Sequence, residues 1–159
     1  MSRAFVKEPD GADFVDELPD RPISPHQNLV TGRGLALLDA ALVQSRAALA
    51  EAQQRGDRPA IAAAARDLRY FAARRASAEL ARQSPDVATV RFGQIVTIAR
   101  NDGRTQKFRL VGEDEADPAA GRLSYVSPLG RALIGKRVGD TVPAGQGEAE
   151  ILAIEAVAD

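Results

Sequence analysis

From Thr31 to Arg55 the apolar positions Leu35, Leu38, Leu42, Leu49 and Ala52 recur at helical spacing, with Ser45 filling the missing step. That pattern predicts one amphipathic helix with Thr31 as its N-cap. Gly56-Asp57-Arg58-Pro59 then interrupts it: glycine suits a helix end, and Asp57 ahead of Pro59 suits a new start. Ile61, Ala64, Leu68, Phe71 and Ala78 repeat the stripe and predict a second helix from Pro59 to Gln83, stopped by Ser84-Pro85-Asp86. Two helices of similar length across a short turn make an antiparallel hairpin. Each is on the order of 35 Å long at the helical rise, and the many alanines favour close approach. Such a hairpin has too little core to stand alone.

Beyond Val90 the period shortens. Val90 to Ala99 holds Val90, Phe92, Val96 and Ile98, and Asn101-Asp102-Gly103 is a hairpin turn signal. Strands follow at Thr105–Val111, Leu123–Val126, Val138–Val142 and Ala149–Val157. Glu113 to Gly121 reads as an acidic loop, and Ser127-Pro128 as the N-cap and first residue of a short helix through Ile134, closed by Gly135. The expected class is α+β: a two-helix hairpin over residues 29–84, then an antiparallel sheet domain with one short helix over 88–159. Residues 1–28 form an acidic arm with Pro9, Pro19, Pro22 and Pro25, which excludes a helix or a central strand. A mostly flexible tail is expected there, with Phe5, Val6, Phe14, Val15, Leu18 and Ile23 as local anchors.

Composition narrows the chemistry. The chain has no cysteine and one histidine, His26, so disulfides, zinc ribbons, thiol nucleophiles and paired histidine ligands are excluded. The net charge of -1 gives no global field for nucleic acid, and 4% aromatics argues against stacking platforms. The N-terminal residues lack the apolar run of a secretory signal, and no stretch is long enough to span a membrane. The expectation is a cytoplasmic protein. Asp114, Glu115 and Asp117 lack the spacing of a calcium loop and read as a structural acidic loop. His26, in the arm beside Pro25, is not expected to be catalytic.

The stretch from Val111 to Val142, VGEDEADPAAGRLSYVSPLGRALIGKRVGDTV, resembles the C-terminal domain of the bacterial GreA/GreB transcription factors. The residues that carry the likeness are Val111-Gly112, Asp114 to Asp117, Ser127-Pro128-Leu129, Arg131 to Lys136 and Gly139-Asp140. It extends upstream to the hairpin, where Gly56-Asp57-Arg58 stands at the family's coiled-coil tip, and so covers about residues 29–159. The resemblance implies an antiparallel coiled coil followed by an FKBP-like domain. It implies a factor that docks on RNA polymerase through the turn at Ser127, Pro128, Leu129 and Arg131, and whose coiled coil enters the secondary channel. It implies contact with nascent RNA or DNA only within the elongation complex, no membrane and a monomer. No cofactor is held stably; the family's two tip acids share the polymerase Mg²⁺, where a second metal activates water for cleavage of backtracked RNA.

The tip departs from that pattern. Asp57 matches the first acid, but Ala60 and Ile61 stand where the family has Glu and Asn. The hairpin is shorter by about two turns per helix. Asp57 is therefore either a weak metal-assisting residue or a helix cap. Arg58, Arg66, Arg69, Arg74 and Arg75 are either a basic face for RNA and polymerase or an ordinary solvated face. The Ser127 turn is either a polymerase contact or simply a helix start. Two functions stay open: an elongation factor acting on backtracked or paused complexes, and a non-cleaving regulator similar to the shorter Rnk-type proteins, which occupies the channel or is linked to nucleoside diphosphate kinase. Neither is an enzyme in its own right. An FKBP-like fold also suggests prolyl isomerase, but Phe92, Phe108 and Tyr125 are too few aromatics for such a pocket, and fold likeness alone does not assign activity.

Overall fold

The computed structural model describes residues 18–158. Most of the acidic arm, residues 1–17, lies outside the described residues, as does residue 159. The elements run β1 (Leu29–Val30), α1 (Gly32–Arg55), α2 (Arg58–Ser77), β2 (Glu79–Leu80), β3 (Ile95–Arg100), β4 (Thr105–Val111), β5 (Arg122–Ser124), α3 (Pro128–Leu133), β6 (Thr141–Ala144) and β7 (Gly147–Glu155). Two single-turn 3-10 helices, Glu113–Glu115 and Pro118–Ala120, lie between β4 and β5.

The hairpin follows the apolar stripes. Leu38, Leu42, Ser45 and Ala52 are buried on α1, and Leu35 and Leu49 are half-buried. On α2, Ala62 and Ala64 are buried, and Ile61, Leu68 and Phe71 are half-buried. Thr31 caps α1 as expected: its Oγ1 accepts from the Gly34 N–H at 3.0 Å. At 24 and 20 residues the helices are about 36 and 30 Å long. Among the described residues no helix is long and apolar enough to cross a membrane.

The second helix stops six residues before the expected Gln83, at Ser77. The chain instead turns into β2, which pairs in parallel with β1, Leu29 opposite Glu79 and Val30 opposite Leu80. Two-residue strands carry no readable alternation, so this pair was invisible to periodicity.

By its internal contacts the chain divides within the helices. Of the described residues, 18–24 and Ala40–Ala73 make up one unit, and Pro25–Asp39 with residues 74–158 the other. The base of the hairpin thus belongs with the sheet, for reasons that lie in Arg74 and Glu115.

The sheet has the order β5-β4-β3-β7-β6. It is mixed rather than wholly antiparallel as expected, because β5 runs parallel to β4. The acidic segment after Val111 is the cause. Its two 3-10 turns carry the chain back along the sheet before β5 begins, so β5 leaves in the same direction as β4. The first predicted strand also begins late, at Ile95 instead of Val90. Val90, Val96, Ile98, Phe108, Leu110, Leu123, Leu133, Val142 and Ile151 form the core, with Leu129 and Ala132 of α3 packed on it. The Asn101-Asp102-Gly103 turn is present, with Gly103 at φ 82°. The Arg104 backbone N–H donated to Asp102 holds its carboxyl below the usual carboxylate range.

Candidate functional site

Two residues, Gly56 and Asp57, separate α1 from α2 at the hairpin tip. Gly56, at φ 63°, ends α1 in the left-handed conformation that glycine adopts without strain. Its N–H bonds to the Gln53 carbonyl and the Asp57 N–H to the Ala52 carbonyl, the paired bonds of a Schellman end. Asp57 then caps α2 at once. Its Oδ1 accepts from the Ala60 N–H at 3.2 Å, and its carbonyl accepts from the Ile61 N–H at 2.9 Å. One oxygen of the lone tip carboxylate is thus engaged in holding the helix start, with Arg58 next in sequence. Among the described residues no cluster of three or more His, Asp or Glu could hold a metal ion. Hard divalent cations need several oxygen ligands, so the tip does not fit a metal centre of its own.

The basic positions on α2 do not form one solvated face. Arg58 is exposed at the tip. Arg69 Nε donates to Asp20 Oδ1 at 2.6 Å. Arg66 Nε lies 3.9 Å from Asp67 Oδ1 and is buried without a hydrogen-bond partner. Arg75 Nε donates to Asp39 Oδ1 at 2.6 Å. Arg74 requires the clearest correction, because it is 1% exposed. Its Nε donates to Asp114 Oδ2 at 2.6 Å and its Nη2 to Asn28 Oδ1 at 2.8 Å, with Glu113 Oε2 at 3.4 Å from Nη2. Asn28 Nδ2 in turn donates to the Arg74 carbonyl at 2.8 Å. Arg74 is therefore a structural clamp between the end of α2, the segment before β1 and the acidic turn.

The acidic segment is structural, as expected. Glu115 is buried, accepts from Thr31 Oγ1 at 2.5 Å, and pairs with Arg33 at 3.2 Å. Asp117 pairs with Arg122 at 3.5 Å. Tyr125 ties the same region together: its hydroxyl donates to the Gln27 carbonyl and accepts from the Leu29 N–H, and its ring packs edge-on against Phe92.

The Ser127 turn caps α3. Ser127 Oγ donates to the Ser124 carbonyl at 2.7 Å and accepts from the Gly130 N–H at 3.1 Å. Pro128 is exposed at the first helical position, Leu129 packs inward on the core, and Arg131 is exposed. Arg131 Nη2 lies 2.6 Å from His26 Nε2. Pro128 and Arg131 thus face outward, whereas Leu129 is available only in part.

The opposite charges of the acidic arm and the second helix suggest that the arm folds back on that helix, but not which residues meet. Asp20 and Arg21 lie on α2: Arg21 Nη1 pairs with Asp67 Oδ1 at 3.2 Å, and its guanidinium carbon sits 3.8 Å from the Tyr70 ring centroid and 5.2 Å from that of Phe71. The opposite charges at Asp20 and Arg69, and at Arg21 and Asp67, were the available signal.

The family model described as transcription elongation factor GreA/GreB, C-terminal, matches residues 84–156, which hold the sheet, the acidic turns and the Ser127 cap. Residues 84–156 are thus similar to the C-terminal domain of GreA/GreB factors. Curated GreA/GreB relatives match the same part. GreA of Sphingopyxis alaskensis is 53% identical over 58 residues, 34% of this chain and 37% of that protein. GreB of Neisseria meningitidis serogroup B is 47% identical over 68 residues, 40% of this chain and 42% of that protein. The matches thus span well under half the length of those GreA/GreB proteins. The crystal structure of GreA factor homolog 1 (Gfh1) of Thermus thermophilus aligns over 81% of this chain and 99% of its own, at 21% identity and a TM-score of 0.37.

Proposed function

We propose that this chain is a GreA/GreB-type transcription elongation factor. In this reading the C-terminal domain binds RNA polymerase through Pro128 and Arg131 on the Ser127 turn, and the hairpin enters the secondary channel to act on backtracked or paused complexes. The observation that carries it is the GreA/GreB domain at residues 84–156, preceded in the chain by a two-helix hairpin. The chain then has no active site of its own, and any hydrolysis in the complex is the polymerase's.

The tip favours a second, narrower reading, in which the hairpin occupies the channel without stimulating cleavage. The support is the single carboxylate of Asp57, one oxygen of which caps α2 through the Ala60 N–H. The test is RNA cleavage in a stalled, backtracked complex with polymerase from the same source. Asp57→Asn is the informative variant, because asparagine caps as well as aspartate and leaves the helix start intact. The expected result is no stimulation by the wild type or the variant, while both compete with an active cleavage factor. Wild-type cleavage that falls at least about tenfold in Asp57→Asn, roughly 1.4 kcal/mol of barrier, overturns the narrower reading and keeps the broader one. Failure to bind polymerase overturns both.

A further inference from the structure

We propose that residues 18–24 form a displaceable strap on α2 which imitates a bound nucleotide and keeps single-stranded RNA from Arg69 and Tyr70. This rests on the elongation-factor reading only for its biological setting; the site itself is defined by the hairpin unit.

Asp20 and Arg21 present two chemistries from adjacent residues. The Asp20 carboxylate sits on the Arg69 guanidinium at 2.6 Å, the charge-assisted contact that a phosphate oxygen makes with arginine. The flat Arg21 guanidinium lies 3.8 Å from the Tyr70 ring centroid, with Phe71 edge-on to Tyr70. Aromatic faces in such positions stack unpaired bases. Anion and planar group are thus joined by a short covalent link, as phosphate and base are in one nucleotide. Asp20, Arg21 and Ile23 of the strap, with Arg69, Tyr70 and Ala73 of α2, line a recess of about 130 Å³.

The strap is built to hold and to yield. Pro19 and Pro22 flank the pair and restrict its backbone, which lowers the entropy lost on docking. Residues 18–24 belong to no helix or strand, and the ion-paired side chains are half or more exposed at Asp20 and Arg69. Exposed pairs are individually weak and screened by salt. A polyanion that makes several contacts along α2 outcompetes them. Opening releases the Asp67 carboxylate from Arg21, and Arg66, 3.9 Å away, is positioned to neutralise it.

The ligand is single-stranded RNA rather than an acidic protein surface, because an acidic side chain would replace Asp20 but leave the Tyr70 ring uncovered. The test uses the full chain, a labelled 12-nucleotide single-stranded RNA and fluorescence anisotropy at low salt. The key variant is the double replacement Asp20→Ala and Arg21→Ala, which leaves the net charge unchanged, so a gain in affinity does not come from the overall field. The double variant should bind RNA about fivefold tighter than wild type, as expected for removing one exposed pair and one cation–π contact. Adding Tyr70→Ala to it should remove the base-stacking share and so reduce the gain, with helix content by circular dichroism unchanged. Equal RNA affinity of wild type and double variant overturns the proposal. So does a gain undiminished by Tyr70→Ala, or an equal gain with polyglutamate as probe, which would assign the face to acidic proteins. Polymerase binding is measured in parallel: binding without the RNA gain overturns the strap alone, and an RNA gain without polymerase binding supports the strap while the elongation-factor reading fails.

Discussion

Replacing Arg74 with alanine lowers the stability of the sheet unit by about 3–5 kcal/mol, the range for breaking one side of a buried ion pair. Arg74 is almost fully buried, and its guanidinium is shared among Asp114, Glu113 and Asn28. Truncation leaves the Asp114 carboxylate largely desolvated with its cation gone, and leaves the Asn28 carbonyl oxygen without its donor. Lysine keeps the charge but lacks the planar fork that reaches Asp114 through Nε and Asn28 through Nη2 together. Arg74→Lys is therefore expected to fall between wild type and alanine. Equilibrium unfolding in urea, read alongside hydrogen exchange of the β3 and β4 amides, measures both. A loss below about 1 kcal/mol for alanine would place the pair with ordinary surface ion pairs and refute the clamp.

Gly130→Ala is the second large effect, and it acts where polymerase contact is proposed. A Cβ built on Gly130 would overlap the Ser124 carbonyl oxygen and lie 3.0 Å from Tyr125 Cα. Both neighbours are backbone, so neither can rotate away. To admit the methyl, α3 must lift from the end of β5. That would pull apart the Ser127 cap, in which the Gly130 N–H is itself the donor to Ser127 Oγ. The loss is expected at or above the top of the roughly 1–3 kcal/mol typical of overpacking, together with weakened polymerase binding. Gly135→Ala is the comparison. Gly135 sits at φ 82° with open space around its Cβ position, so only the left-handed strain of roughly 1–2 kcal/mol applies. Thermal unfolding of the two variants checks the order. If Gly130→Ala melts like wild type, the seat of α3 on β5 is looser than the backbone contact implies.

What the sequence revealed and what it hid divide by the range of the interaction. The stripe Leu35 to Ala52, with Ser45 buried in it, and the turns at Gly56-Asp57, Asn101-Gly103 and Ser127-Pro128 are local patterns, and each is present. The parallel placement of β5 was hidden because it depends on how two 3-10 turns aim the chain, not on any alternation within Arg122–Ser124. Arg74 was misread because an arginine among other arginines on a helix looks solvated; its acceptors are Asn28, 46 residues before it, and Asp114, 40 residues after it. The partners of the strap were hidden for the same reason, since Asp20 meets Arg69 across 49 residues. At the tip, by contrast, Asp57 ahead of Pro59 already read as a cap, and the observed bond to the Ala60 N–H is that cap.

The parallel pairing of Leu29 with Glu79 and Val30 with Leu80 has an evolutionary consequence. It brings the outgoing and returning ends of the hairpin side by side, so everything between them is one closed excursion from the same anchor. Each doubling of a flexible loop adds only about 0.6 kcal/mol of closure entropy, and paired helices add packing as they grow. Matched insertions or deletions in the two helices therefore leave the anchor untouched. The hairpin is a ruler whose length selection can reset in steps of a helical turn, deciding how far Asp57 reaches without redesigning the domain that holds it.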